Sequence, residues 1–147
     1  SSYLPGEIIG AFLMAQLEEA YEITNKRIKI WDRYHQSLKS LEKSGFIKRP
    51  VVPKECQLNG HIYYILTKNL KVRNKLIEFL NKRGILSVFH YVPLHSSPAG
   101  KKYTRFVGNM SVTNRISDTL IRLPLFYDIT DKEVEYTVKS IREFFKS

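Results

Sequence analysis

One stripe of residues constrains this chain more than any other feature. Leu13, Leu17, Ala20, Thr24, Ile28, Trp31, His35, Leu38 and Leu41 follow one another in steps of three and four, the spacing that places side chains on one face of a helix. Pro5 suits a first helical position, and Glu7 lies in the first turn, where its charge complements the dipole. Gly45 follows Ser44 where a left-handed C-terminal cap is wanted. A helix over residues 5–43 has a length of roughly 50 Å or more at 1.5 Å per residue. A domain of this size has a radius of gyration of only about 15 Å. The helix must therefore kink, near residues 21–25, or lay its first half on something outside the chain. Ile8, Ile9, Ala11, Phe12, Leu13, Met14 and Ala15 leave that half little polar face. A helix apolar all round needs burial on several sides, so the pattern predicts a covering domain or a partner subunit.

Beyond Gly45 the texture changes to short alternating elements. Strands are predicted over residues 46–50, 61–67 and 85–91 from β-branched and aromatic content. Pro124 confines the extended segment 121–125 to an edge or a strand end. Helices are predicted over residues 72–82, ended by Gly84, over 111–120, capped by Ser111 or Thr113, and from a Thr130 cap to about residue 145. The fold class expected is α+β (or α/β): a long N-terminal helix over residues 1–44, then a small mainly antiparallel sheet with helices on one face over residues 45–147.

With 43% hydrophobic residues, nine Tyr and eight Phe, 147 residues suffice for one buried core and argue against disorder. No apolar run approaches the ~20 residues of a membrane span, and nothing at the start resembles a signal peptide. The first residue is Ser1, not Met, which suggests a processed or truncated start. The single cysteine, Cys56, excludes an intrachain disulfide and fits a reducing cytoplasm. A net charge of +10 invites a nucleic-acid reading. Yet the cations fall as scattered pairs, such as Lys26-Arg27, Lys48-Arg49 and Lys101-Lys102. A solvated cationic surface is the better reading, and a diphosphate substrate would also favour it.

Chemistry concentrates in residues 89–100, Phe-His-Tyr-Val-Pro-Leu-His-Ser-Ser-Pro-Ala-Gly, where a predicted strand runs into a proline-stiffened loop. On an extended strand His90 and Tyr91 point to opposite faces. The spacing of His90 and His95 matches no common metal motif, and no nucleophile elbow is present. Two readings stay open: an ordinary stiff loop with partly buried histidines, or a wall of Tyr, His and Ser donors and acceptors for a sugar or phosphate. Trp31, His35 and His61 are expected to be structural. Glu18, Glu19, Glu22 and Asp32 look like solvated or ion-paired charges on helix faces.

The opening Ser1-Ser2-Tyr3-Leu4-Pro5-Gly6-Glu7, the run Ala15-Gln16-Leu17-Glu18, the stretch from Val88 to Gly100 and the late Arg122-Leu123-Pro124-Leu125-Phe126-Tyr127 together resemble the DegT/DnrJ/StrS-type sugar aminotransferases. Within that family they are most similar to the dTDP-4-amino-4,6-dideoxygalactose transaminase subgroup. The resemblance covers the whole chain, in order. It implies the C-terminal small domain of a dimeric fold-type I aminotransferase that uses pyridoxal phosphate. The family's Schiff-base lysine, the aspartate facing the pyridine nitrogen and the ring-stacking aromatic lie upstream of these motifs. The chain would thus hold no catalytic residue and be inactive alone. Ser2 stands where many relatives carry an asparagine that reaches the cofactor phosphate across the dimer. His90, Tyr91 and His95 fall in the segment that approaches the sugar nucleotide. The reaction implied is transfer of an amino group, from glutamate, to a dTDP-4-keto-6-deoxyhexose for lipopolysaccharide or other cell-surface polysaccharide synthesis. Leu4 and Gly6 depart from the arginine of other subgroups and the serine of this one. A stand-alone nucleic-acid-binding or oligomerisation module is the competing reading.

Overall fold

The computed structural model describes residues 3–146. The helical stripe is realised in three consecutive pieces: α1 (Glu7–Glu18), α2 (Ala20–Ser37) and α3 (Lys39–Lys43). Glu19 (φ −94°, ψ 3°) and Leu38 (φ −90°, ψ 0°) each leave helical geometry for a single residue. The first break therefore precedes the predicted kink region, and neither proline nor glycine marks it. Helix α1 begins at Glu7 with Gly6 as its N-cap, so Pro5 sits ahead of the helix instead of opening it. No residue of α1 is buried: Ile8 is 87% and Phe12 70% exposed. Its apolar surface is the uncovered face the sequence leads one to expect.

The second half of the stripe carries the core. Ile30, Trp31, Tyr34, Leu38 and Leu41 are buried, together with Leu76 and Leu80 of α4 (Leu70–Asn81) and Val134, Val138 and Ile141 of α7 (Asp131–Phe144). Each such side chain contributes about 1.5–3 kcal/mol on leaving water. The sheet against them is small. Strands β1 (Tyr63–Leu66) and β2 (Leu120–Leu123) pair antiparallel, with Tyr63 opposite Leu123 and Ile65 opposite Ile121. These four residues are buried, while Tyr64 and Arg122 on the alternate positions are half-exposed. The predicted strands at 46–50 and 85–91 shrink to one bridge each, Lys48 with Leu66 and Val88 with Arg122. Both flank the central pair antiparallel. They are outermost segments held by single reciprocal hydrogen-bond pairs, Lys48 N–H to Leu66 O at 2.8 Å and Arg122 N–H to Val88 O at 2.8 Å among them.

Local chemistry fixes the corners. Gly45 (φ +75°) and Gly84 (φ +74°) end α3 and α4 in the left-handed region that glycine adopts freely. Gly60 (φ +61°) lies so close to α2 that a Cβ there would sit 2.8 Å from backbone atoms of Arg27 and Ile28. Thr130 and Glu133 form the expected capping box at the start of α7. Helix α6 (Ser111–Thr119) departs from expectation: its N-cap is Met110, and Asn109 Oδ1 accepts the Ser111 N–H at 2.7 Å. Trp31 and His35 are structural, their rings stacked at 4.6 Å beside Tyr63. Arg49 donates its backbone N–H and Nε to Glu42 at 2.7 Å and Nη1 to the His35 carbonyl. Burial and then the Arg49 charge push the His35 imidazole below its usual value. Burial by itself raises Glu42, but the Arg49 hydrogen bonds outweigh it and hold the carboxyl below the usual carboxylate range. Burial also pushes the Tyr34 phenol up to about 12.

Candidate functional site

The stretch from Phe89 to Gly100 is not a strand followed by a loose loop. Past the Val88 bridge the chain forms a built strap: a 3-10 turn (Leu94–Ser96) and then α5 (Pro98–Tyr103), a short helix. Its start follows ordinary capping rules. Ser97 is the N-cap and accepts the Gly100 N–H through Oγ at 3.0 Å, with Pro98 in the first turn. The Ser97 hydroxyl also donates to Leu94 O at 2.8 Å, and Ser96 Oγ donates to Pro93 O at 3.0 Å. Both serines are thereby committed to the strap's own backbone, which removes them from the wall of free donors expected from composition. Gly100 is buried, and a Cβ on it would meet Leu94 O at 1.7 Å. The turn and the helix can close on each other only over a glycine.

Helix α6 supports the strap. Ser117 Oγ donates to Tyr91 O at 3.2 Å, and His95 Nε2 lies 2.9 Å from Asn114 Oδ1. With the amide oxygen as acceptor, His95 donates through Nε2. His95 is half-buried, its ring 5.4 Å from that of Phe106. His90 and Tyr91 are exposed, and their rings pack edge-on at 4.6 Å. The expectation that they point to opposite faces fails, because residues 89–93 have no ladder partner to impose strand alternation. Both rings instead occupy one patch of surface. Ser2, named for the cofactor phosphate, lies outside the described residues.

Asn114 and Ser117 were not found from sequence, since nothing local links them to a strap some twenty residues upstream. A usable electrostatic signal was present all the same: no Asp or Glu occurs between Glu78 and Asp118, an interval holding Lys82, Arg83, Lys101, Lys102, Arg105 and Arg115. The strap itself carries no Asp or Glu and two cations, Lys101 and Lys102, while its supporting helix α6 carries one charge of each sign, Arg115 and Asp118; the balance suits an anionic ligand. Among the described residues no group of three or more His, Cys, Asp or Glu could hold a metal. Nor do they fit pyridoxal phosphate as a self-sufficient site. The cofactor needs a lysine amine withdrawn from water, and no described lysine is buried. The described residues include no helix long and apolar enough to cross a membrane. Cys56 is an exposed free thiol in the 51–59 loop.

Comparison with known proteins places this arrangement. The GDP-perosamine synthase of Escherichia coli O157:H7 is 27% identical over 148 residues, an alignment covering 98% of this chain and 37% of that protein. A DegT/DnrJ/EryC1/StrS aminotransferase from Brucella abortus superposes with a TM-score of 0.78 at 26% identity, over 92% of this chain and 34% of its own. NtdA of Bacillus subtilis, solved with bound cofactor PMP, shares the fold at 20% identity with a TM-score of 0.73, over 85% of this chain and 29% of its own. The chain spans 26% to 37% of the length of the curated relatives it matches. The model of the DegT/DnrJ/EryC1/StrS aminotransferase family matches residues 6–142, and the chain belongs to that family.

Proposed function

We propose that this chain supplies the small-domain share of a pyridoxal-phosphate-dependent sugar-nucleotide aminotransferase. In this reading residues 1–44 connect to a cofactor-bearing domain outside the chain, and residues 45–147 form the small domain. The observation that carries it is the strap: an exposed His90–Tyr91 pair and a fixed His95, on a segment that holds no Asp or Glu of its own, in a chain of this family. Tyr91 and His95 orient the sugar's hydroxyls, His90 supports the Tyr91 ring, and the surrounding cations favour the diphosphate. Pyridoxal phosphate supplies the electron sink for amino transfer, and its lysine lies outside these 147 residues. Ser2 reaches the cofactor phosphate of a second copy in a homodimer.

The substrate proposed is a 4-keto-6-deoxyhexose carried on dTDP, aminated at C4 with glutamate as donor, in the cytoplasm, for a lipopolysaccharide or other cell-surface polysaccharide. A GDP-linked sugar is the second reading, favoured by the similarity to GDP-perosamine synthase. Two measurements test these readings. Borohydride reduction of the chain mixed with pyridoxal phosphate, followed by peptide mapping, should label no lysine stoichiometrically. One fully labelled lysine would refute the division of labour. Amination assays on the polypeptide extended upstream should show turnover with the dTDP-linked keto-sugar; turnover with the GDP-linked one alone selects the second reading.

A further inference from the structure

A groove elsewhere on the chain shares no residue with the strap. Phe46, Lys48, Thr67, Lys68, Arg115 and Thr119 line it, and no carboxylate does. Three different segments supply its cations, and backbone pairing fixes those segments against one another. Lys48 is bridged to Leu66, with N–H to O distances of 2.8 and 2.9 Å, and the Thr67 N–H donates to Thr119 O at 2.9 Å. Arg115 stands one turn before Thr119, whose hydroxyl donates to the Arg115 carbonyl at 2.7 Å. Lys48, Lys68 and Arg115 are all exposed. None of the three has a carboxylate partner among the described residues, whereas Lys26, Arg33, Arg49, Lys82 and Arg83 each do. Helix α4 starts beside Lys68 with no acid in its first turn. Its N-terminal dipole therefore adds to the positive potential without being cancelled.

Three like charges held at one concave surface repel one another, and an anion of two or three negative charges relieves that repulsion. We propose that this groove is a second binding site, for a diphosphate group. Lys48, Lys68 and Arg115 hold the phosphate oxygens. The Phe46 ring, 43% exposed and stacked on Phe145 at 5.2 Å, offers a face for a base. Inorganic diphosphate and a nucleoside diphosphate share the recognised chemistry, and the ring contact separates them.

The test is calorimetric titration of the chain with inorganic diphosphate, with dTDP and with a 12-nucleotide single-stranded DNA, each at low and moderate salt. Saturable binding of diphosphate and dTDP is expected, weakening as salt rises. Lys48→Gln, Lys68→Gln and Arg115→Gln should each reduce affinity by about fivefold, the upper range for an exposed pair. Lys48→Glu/Lys68→Glu/Arg115→Glu together should abolish binding. Tighter binding of dTDP than of diphosphate, lost in Phe46→Ala, assigns the nucleotide as the source; equal binding assigns diphosphate alone. A Lys139→Gln variant, which removes an exposed cation of α7 outside the groove, should bind as the unaltered chain does, which separates this site from the effect of net charge alone. Absence of binding to the unaltered chain, or binding that survives the triple charge reversal with its circular dichroism spectrum intact, overturns the proposal. So does DNA binding that exceeds diphosphate binding and has the steeper salt dependence.

Discussion

Replacing Gly100 by alanine tests the strap at its tightest point. The added Cβ would lie 1.7 Å from Leu94 O, 2.7 Å from Leu94 C and 2.9 Å from Ser97 Oγ. An ordinary carbon–oxygen approach is about 3.3 Å, so a backbone carbonyl must retreat by more than an ångström. That carbonyl accepts from the Ser97 hydroxyl and the Ser97 N–H, and neither bond survives such a movement. Overpacking costs about 1–3 kcal/mol, and two lost hydrogen bonds add about 1 kcal/mol each, giving roughly 3–5 kcal/mol. The molecule can evade most of that by opening the strap locally, because Gly100 is its only fully buried residue. The expected outcome is a core of nearly unchanged stability with a detached strap. Hydrogen exchange followed by NMR should show protection of the Gly100, Lys101 and Thr104 amides reduced at least about tenfold, the equivalent of 1.4 kcal/mol. Amides of Leu66 and Arg122 should retain theirs, and the His95 ring resonances should shift as the Asn114 contact is lost. Unchanged protection of residues 100–104 together with an unmoved His95 would refute the reasoning.

The remaining predictions concern the scaffold. Gly60→Ala combines a left-handed backbone with a 2.8 Å clash against the α2 backbone; it should cost roughly 2–4 kcal/mol in urea denaturation. Arg49→Met removes the guanidinium from Glu42 and leaves only the backbone N–H bond of residue 49; it should cost about 2–3 kcal/mol, below the figure for a fully buried pair because Glu42 is one-third exposed. The His35 pKa is lowered in the fold, so the unfolded chain binds the proton more readily. Stability should be fullest above the unfolded value of about 6.5 and decline as pH falls through that value toward the folded one. Denaturation midpoints at several pH values between 7.5 and 5 check this, and His35→Gln should flatten that part of the profile.

The sequence was legible wherever a signal was local. The Thr130–Glu133 capping box, Gly45, Gly84 and the helix expected over residues 72–82 all state their structure within a few residues, and the structure agrees. The antiparallel sheet was legible in kind but not in extent. Whether residues 46–50 and 85–91 form full strands depends on partners beyond them, and only one residue of each forms a bridge. The break at Glu19 has no breaker residue to announce it. The strap helix was readable in retrospect, since Ser97-Pro98 is an N-cap followed by proline. Its support was not, because Asn114 and Ser117 reach it through tertiary packing alone. The pairing of His90 with Tyr91 is hidden for the opposite reason: strand alternation is a local rule that holds only where a ladder enforces it, and residues 89–93 have none.

The interruption at Glu19 also has a mechanical side. Twelve residues of α1 project beyond it without one buried side chain, a rod of about 18 Å at 1.5 Å per residue. Turning that rod by about 10° sweeps its far end through about 3 Å, while the core around Tyr34 and Ile121 feels nothing. A small dihedral adjustment at one surface glutamate is thus amplified into the aim of an entire apolar arm, so the lever's bearing can be changed without repacking the interior.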